Sequence, residues 1–255
     1  MLGWLTPYVF LGARQRALCR RGLTVLAYHR LGSPPTAARD PFLYTSPRCF
    51  DEQLTALRHA RLSPSSLSEA LAARTPGLRA VVVTFDDGFR STLELGLEVL
   101  TRHKIRAIQF LVAGSLGGRN HWDAAKGDVS EPLLNEREVR DWLSAGHQIG
   151  SHSQSHPNLR KIPLPQAREE ITASRKRLED TFGVAVDHFC YPYGSFNEAI
   201  RDLVREAGYQ TACTMKFGVN VPGESPFEFK RISPLTEAEL LAKMMHRLRE
   251  RCIRR

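Results

Sequence analysis

Two aspartates stand side by side in "TFDDG", as Asp86 and Asp87, and two histidines stand four apart in "SHSQSHP", as His152 and His156. These residue types and spacings could do chemistry. Adjacent carboxylates resist joint ionisation unless something neutralises one of them. Histidines four apart can reach a single cation, and two histidines with one carboxylate make a common catalytic zinc set, similar also to the triad of non-haem iron enzymes. If one aspartate ligates a divalent cation, the other can stay ionised beside it and take a proton from a water that the cation activates. Gly88 lets the chain turn sharply there and approach a ligand closely. The competing reading is that the aspartates merely cap a helix starting near Phe89, but one residue suffices for a cap.

The elements that must position these residues follow a regular rhythm. "LTVLAYH" (23–29), "AVVVTF" (80–85), "AIQFLV" (107–112), "HQIGS" (147–151), "HFCYP" (188–192) and "QTACT" (210–214) read as strands, and "FEFKRIS" (227–233) as one more. Between them lie amphipathic segments: one starting at Ser46-Pro47, "STLELGLEVLTRH", one capped by Asn135 with Glu138, "PQAREEITASRKRLEDTFG", "NEAIRDLVREAGY", and a last one beginning at Thr236. Six or seven such β/α units predict an α/β fold with a parallel barrel, complete or distorted, and an open doubly wound sheet is the alternative. In either, working residues sit at the C-terminal strand ends. His29, Asp86, Asp87, His152, His156 and Tyr193 all fall there.

Composition narrows the class. The 255 residues are 42% hydrophobic and 25% charged, ordinary for a globular chain, and carry a formal charge of +9 concentrated near both ends. The five cysteines are scattered without a CxxC pair, which points away from a disulfide framework and towards a reducing compartment. The first residues are apolar and the next basic, the reverse of a secretory signal, and no apolar run reaches the length of a membrane span. A cytoplasmic protein is the expectation, with peripheral membrane contact through Trp4, Leu5, Tyr8, Val9 and Phe10 as an option. The positive charge alone does not make a nucleic-acid binder, because no reader motif accompanies it.

In order and spacing, "TFDDG", "SHSQSHP" and "YPYG" resemble the polysaccharide deacetylases of carbohydrate esterase family 4, the NodB-homology domain. The likeness runs over residues 23–235, leaving a 1–22 extension and a 236–255 basic amphipathic helix. The early "VLAYHRL" is most similar to the subgroup acting on poly-N-acetylglucosamine in exopolysaccharide biosynthesis. This resemblance implies a distorted (β/α)7 barrel with one divalent metal ion, zinc by default and Co, Ni, Fe or Mn otherwise. It implies Asp86 as general base, Asp87, His152 and His156 as metal ligands, the Tyr193 backbone N–H as oxyanion donor and His29 as general acid. The implied reaction removes N-acetyl groups from an acetylated glycan; a cytoplasmic location would make a lipid- or nucleotide-linked precursor the expected substrate.

Two departures accompany the likeness. Where many members carry an arginine two residues before the proline of "YPYG", this chain has Cys190, and Arg231 in "FKRIS" is the candidate to supply the positive charge. His246, where many members have their general acid, lies in an amphipathic pattern and reads as structural. Trp122 in "GRNHWD", with His121 beside it, and Pro192 are candidate substrate contacts, Trp122 by sugar stacking or else as a loop anchor. O-deacetylation and a carbohydrate-binding pseudoenzyme remain the alternative functions.

Overall fold

The computed structural model describes residues 17–73 and 79–235. The amphipathic stripe of Leu241, Met244, Met245, Leu248 and Cys252, with His246, and the apolar residues Trp4 to Phe10 lie outside the described residues. Strands β1 (Thr24–Tyr28), β5 (Ala80–Phe85) and β6 (Ala107–Leu111) are buried along their whole lengths, because helices cover the outside of the sheet and side chains fill the inside. With β7 (Gln148–Ser151), β8 (His188–Cys190), β9 (Thr211–Phe217) and β10 (Phe229–Arg231) they form a parallel sheet in the order β1-β5-β6-β7-β8-β9-β10. Ala27 N–H donates to Ile232 O at 3.0 Å and Ile232 N–H to Val25 O at 2.8 Å, so β10 comes back against β1. The sheet therefore nearly closes as a distorted seven-stranded barrel, as expected. Short pieces β2 (Arg30–Leu31) and β3 (Tyr44–Thr45) pair beside it, and β4 (Ser63–Pro64) adds to the start of β5.

The helices begin where local chemistry allows. Helix α1 (Pro47–His59) has proline in its first turn, and the Ser46 hydroxyl accepts from Cys49 N–H at 3.2 Å. Its buried face is Phe50, Gln53, Leu54 and Leu57, the spacing of one helical stripe. The short α2 (Leu67–Ala73) was not legible in the sequence pattern. Helix α3 (Ser91–His103) has no side-chain cap, with Arg90 at the N-cap position, so neither Asp86 nor Asp87 serves it. After the four-residue α4 (His121–Ala124), α5 (Glu136–Ser144) opens with a full capping box: Asn135 Oδ1 accepts from Glu138 N–H at 3.0 Å, and Glu138 Oε2 from Asn135 N–H at 2.8 Å. Helix α6 (Leu164–Phe182) ends on Gly183 at φ 68°, and α7 (Glu198–Glu206) is capped by Asn197.

The core fixes the phase of the strand that carries the aspartates. The Phe85 ring lies 5.5 Å from Tyr28, 5.6 Å from Phe50 and 6.1 Å from Trp142, the last two edge-on. Burying such a ring is worth about 2–3 kcal/mol. A one-residue slip of β5 would exchange Phe85 for a carboxylate, so the anchor sets where the strand ends and Asp86 begins. Among the described residues, no helix is long and apolar enough to cross a membrane.

Candidate active site

A cleft of about 370 Å³ opens at the C-terminal strand ends, and His29, Asp86, Asp87, Trp122, His152, His156 and Tyr193 all line it. Asp86 continues β5, its N–H donating to Tyr28 O at 3.0 Å. Asp87 then turns to φ 73° and Gly88 to φ 82°, where a Cβ would meet the Leu111 side chain at 3.1 Å. That left-handed step sends the two neighbouring carboxylates to different partners.

Asp86 is buried and gripped end-on by Arg231 from the end of β10: Nη1 donates to Oδ1 and Nη2 to Oδ2, both at 2.7 Å. Arg231 is itself held by Nε–H to Thr214 O at 2.8 Å and by Nη1–H to Thr84 Oγ1 at 3.1 Å. It stands beside the Cys190 thiol, Nη2 to Sγ 3.2 Å, so the guanidinium reaches the position the "YPYG" segment leaves to a cysteine. Burial pushes the Asp86 carboxyl up, but Arg231 and then His29 and His152 outweigh it and hold it below the ordinary carboxylate range. His29 Nε2 lies 3.8 Å from Asp86 Oδ2.

Asp87 turns instead to the histidines. Its Oδ1 is 3.3 Å from His152 Nε2 and 3.2 Å from His156 Nε2. All three are buried, and their donor atoms lie within 4.8 Å of one another. Burial raises the Asp87 carboxyl, yet hydrogen bonds from His152 and His156 overcome this and keep it well below the usual range. His152 Nδ1 meets Cys190 O at 2.7 Å, and this contact orients Nε2 towards Asp87. The cluster fits a divalent cation: two imidazole nitrogens and a carboxylate oxygen converge, each histidine with its far nitrogen engaged. A second triad, Asp86, His152 and Cys190, also meets the spacing, but Arg231 already occupies its carboxylate and contacts its sulfur.

The histidine loop is held by residues that sequence reasoning did not single out. Glu170 of α6 accepts from Gln154 N–H at 3.0 Å and Ser155 N–H at 2.8 Å, and Ser153 Oγ accepts from His156 N–H at 3.0 Å. Trp122 stacks on His156 at 4.5 Å between ring centroids and closes one side of the cluster, while His121 is exposed beside it. The Trp122 loop is pinned by the fully buried Arg30, whose Nη2 donates to Asp123 Oδ2 at 2.8 Å while its guanidinium lies 4.3 Å over Phe89. Lys126 donates to Tyr193 Oη at 2.7 Å, and Tyr193 Oη is 3.2 Å from His156 Nδ1. Tyr193 sits at φ 60° in a one-turn 3-10 helix over 192–194, second in the turn, where its N–H lacks a partner inside the helix. Pro192 is buried beneath that turn and does not line the cleft; Tyr191, Tyr193 and Gly194 do. Gly194 follows at φ 62° with Met215 N only 2.6 Å from where a Cβ would be.

Backbone strain gathers at the same place. Of the six described non-glycine residues with positive φ, Asp87, Ser153, His156 and Tyr193 belong to this cluster. Such conformations cost on the order of 1–3 kcal/mol each and persist only where the surroundings overdetermine them.

Known proteins share this fold and part of this sequence. The family description "Polysaccharide deacetylase" matches residues 73–212. Among curated proteins, the peptidoglycan-N-acetylglucosamine deacetylase PgdA of Listeria monocytogenes is 29% identical over 145 residues, 56% of this chain and 28% of PgdA. The poly-beta-1,6-N-acetyl-D-glucosamine N-deacetylase of Staphylococcus aureus is 23% identical over 195 residues, 72% of this chain and 65% of that protein. The chain thus spans under a third of the first and about two thirds of the second. The solved structure of IcaB from Ammonifex degensii superposes with a TM-score of 0.73 at 25% identity, covering 89% of this chain and 97% of IcaB. His29 and Arg231 stand outside the matched span, while both aspartates, both histidines and Tyr193 fall within it. This chain belongs to the polysaccharide deacetylase family.

Proposed function

We propose that the protein is a metal-dependent hydrolase that removes N-acetyl groups from a glycan built of N-acetylhexosamine and releases acetate. One observation carries this reading: the Asp87, His152 and His156 donor atoms converge in an open cleft beside a second carboxylate kept charged by Arg231. The staphylococcal and Listeria relatives, both named for N-acetylglucosamine substrates, favour this sugar class.

Asp87, His152 and His156 would hold the cation, zinc being the default for such a set. Bound there, it supplies a Lewis acid for the acetyl carbonyl and lowers the pKa of water. Asp86 takes the proton of the attacking water, and Arg231 keeps it ionised beside Asp87 at some cost in basicity. The Tyr193 N–H donates to the oxygen that becomes negative as the acetyl carbon turns tetrahedral. His29, across from Asp86, gives a proton to the departing nitrogen, so that acetate and a free amino sugar leave.

The test measures acetate released from N-acetylglucosamine oligomers and from acetylated xylan by chelated, metal-restored and Asp86→Asn protein. Release from the oligomers that requires metal and disappears in the variant is the expected result. Release from xylan alone assigns an O-acetyl esterase instead. Metal binding without release from either points to a carbohydrate-binding pseudoenzyme, and failure to bind metal overturns the proposal.

A further inference from the structure

The Tyr193 side chain carries a feature that its backbone role leaves unexplained. The residue is 44% exposed and lines the cleft, yet its hydroxyl is tied on two sides. Lys126 Nζ donates to Oη at 2.7 Å and lies 4.2 Å from the ring centroid. On the other side, His156 Nδ1 is 3.2 Å away. A phenol has two acceptor positions and one proton. Lys126 fills the first acceptor position, since an ammonium can only donate.

The second contact is decided by the far nitrogen of the same imidazole. His156 Nε2 faces Asp87 and belongs to the donor cluster, so in a metal-bound site the proton of the neutral ring resides on Nδ1. His156 Nδ1–H then donates to Tyr193 Oη and fills its second acceptor position. The phenolic proton has neither partner to go to and turns into the cleft.

We infer that the Tyr193 hydroxyl is a substrate-binding donor, its proton aimed into the cleft by Lys126 and His156 to meet a hydroxyl or ring oxygen of the acetylated sugar. This rests on the metal-dependent deacetylase reading above. Lys126 is a positioning residue in this arrangement. Tyr193→Phe removes the donor and keeps the ring against His156, 4.7 Å between centroids and edge-on.

Binding rather than turnover tests it. In the Asp86→Asn background, loaded with zinc and checked by mass spectrometry, calorimetry measures the Kd for tetra-N-acetylglucosamine with and without Tyr193→Phe and Lys126→Met. Loss of one hydrogen bond to a neutral sugar oxygen should weaken binding about fivefold in Tyr193→Phe at unchanged metal content. Lys126→Met should weaken it by less than about twofold, because His156 still directs the hydroxyl. Equal affinity of Tyr193→Phe and its parent overturns the inference, as does a loss carried wholly by Lys126→Met, which would make the ammonium the donor. Loss of metal in Tyr193→Phe alone would assign the hydroxyl to holding His156 and overturns it too. A parent that binds no metal overturns the deacetylase reading itself, and this inference with it.

Discussion

Asp86 and Asp87 are consecutive, both buried and both ionised, yet they lie in two differently built regions. On the Asp86 side a guanidinium meets both carboxylate oxygens at 2.7 Å, with the Cys190 and Met215 sulfurs against it. That partner cannot give up its proton, so the pair is closed. On the Asp87 side the partners are two imidazoles at 3.2 and 3.3 Å, which can release protons and present lone pairs. That set is open to a cation. The difference shows how one strand end can hold two adjacent negative charges: one is matched permanently by the fold, and the other sits in a donor set that fits an exchangeable cation. A single left-handed residue, Asp87 at φ 73°, separates the two environments.

The comparison breaks most completely at Asp87. Asp87→Ala should reduce bound metal and acetate release to background together, because the two histidines lose their shared carboxylate; metal analysis alongside activity checks both. Asp86→Asn should separate them. Metal stays bound, while kcat falls by about 10²–10⁴-fold for loss of a general base. Metal loss in Asp86→Asn would show that the two regions are not independent.

Arg231→Met attacks the closed side. Removing one partner of a buried pair costs about 3–5 kcal/mol, or a melting temperature lower by about 10 °C in a chain of this size. Asp86→Asn in the same molecule should recover part of that loss, since no charge is then left unpaired.

The same variant should reverse a pH dependence. In the wild type Asp86 is held below its ordinary value of 3.8, so its contribution is present above 3.8 and lost as pH falls through the depressed folded value. Without Arg231, burial is left as the dominant influence and raises the group. Its contribution is then present below 3.8 and lost as pH rises through the raised value. Between about pH 4 and 6, the urea midpoint of Arg231→Met should fall relative to wild type as pH increases. A constant offset would mean that Arg231 contributes packing but not charge.

What the sequence made legible follows physical range. The strand ends with His29, Asp86, His152 and Tyr193, and the Asn135–Glu138 cap, are local patterns, and they stand in the structure as expected. Arg231 was proposed for Asp86 from a missing charge, but the pairing spans 145 residues and only the returning β10 strand produces it. Glu170 over the histidine loop, Arg30 on Asp123 and Lys126 on Tyr193 carried no local signal. Each is an ordinary charged residue until the barrel brings its partner near. The left-handed Asp87, Ser153, His156 and Tyr193 were equally hidden, because none is a glycine and their conformations are imposed by tertiary contacts.

The smallest expected effect also sharpens the comparison most. The Cys190 thiol is 3.6 Å from Asp86 Oδ2, and burial pushes its pKa up to about 11, so it sits there neutral as a weak donor. Cys190→Ala should therefore cost only about 1 kcal/mol, a small cavity and one weak hydrogen bond. Metal affinity should not change, because His152 is oriented by the Cys190 carbonyl, which alanine retains. Cys190 also belongs to the second triad with Asp86 and His152. A collapse of metal affinity in Cys190→Ala would make the sulfur a ligand and Asp86 the metal's carboxylate. Asp87 would then be the free one, and the roles of the two neighbours would be exchanged. Chelator competition on this one variant, set beside Asp87→Ala, decides which aspartate faces the ion.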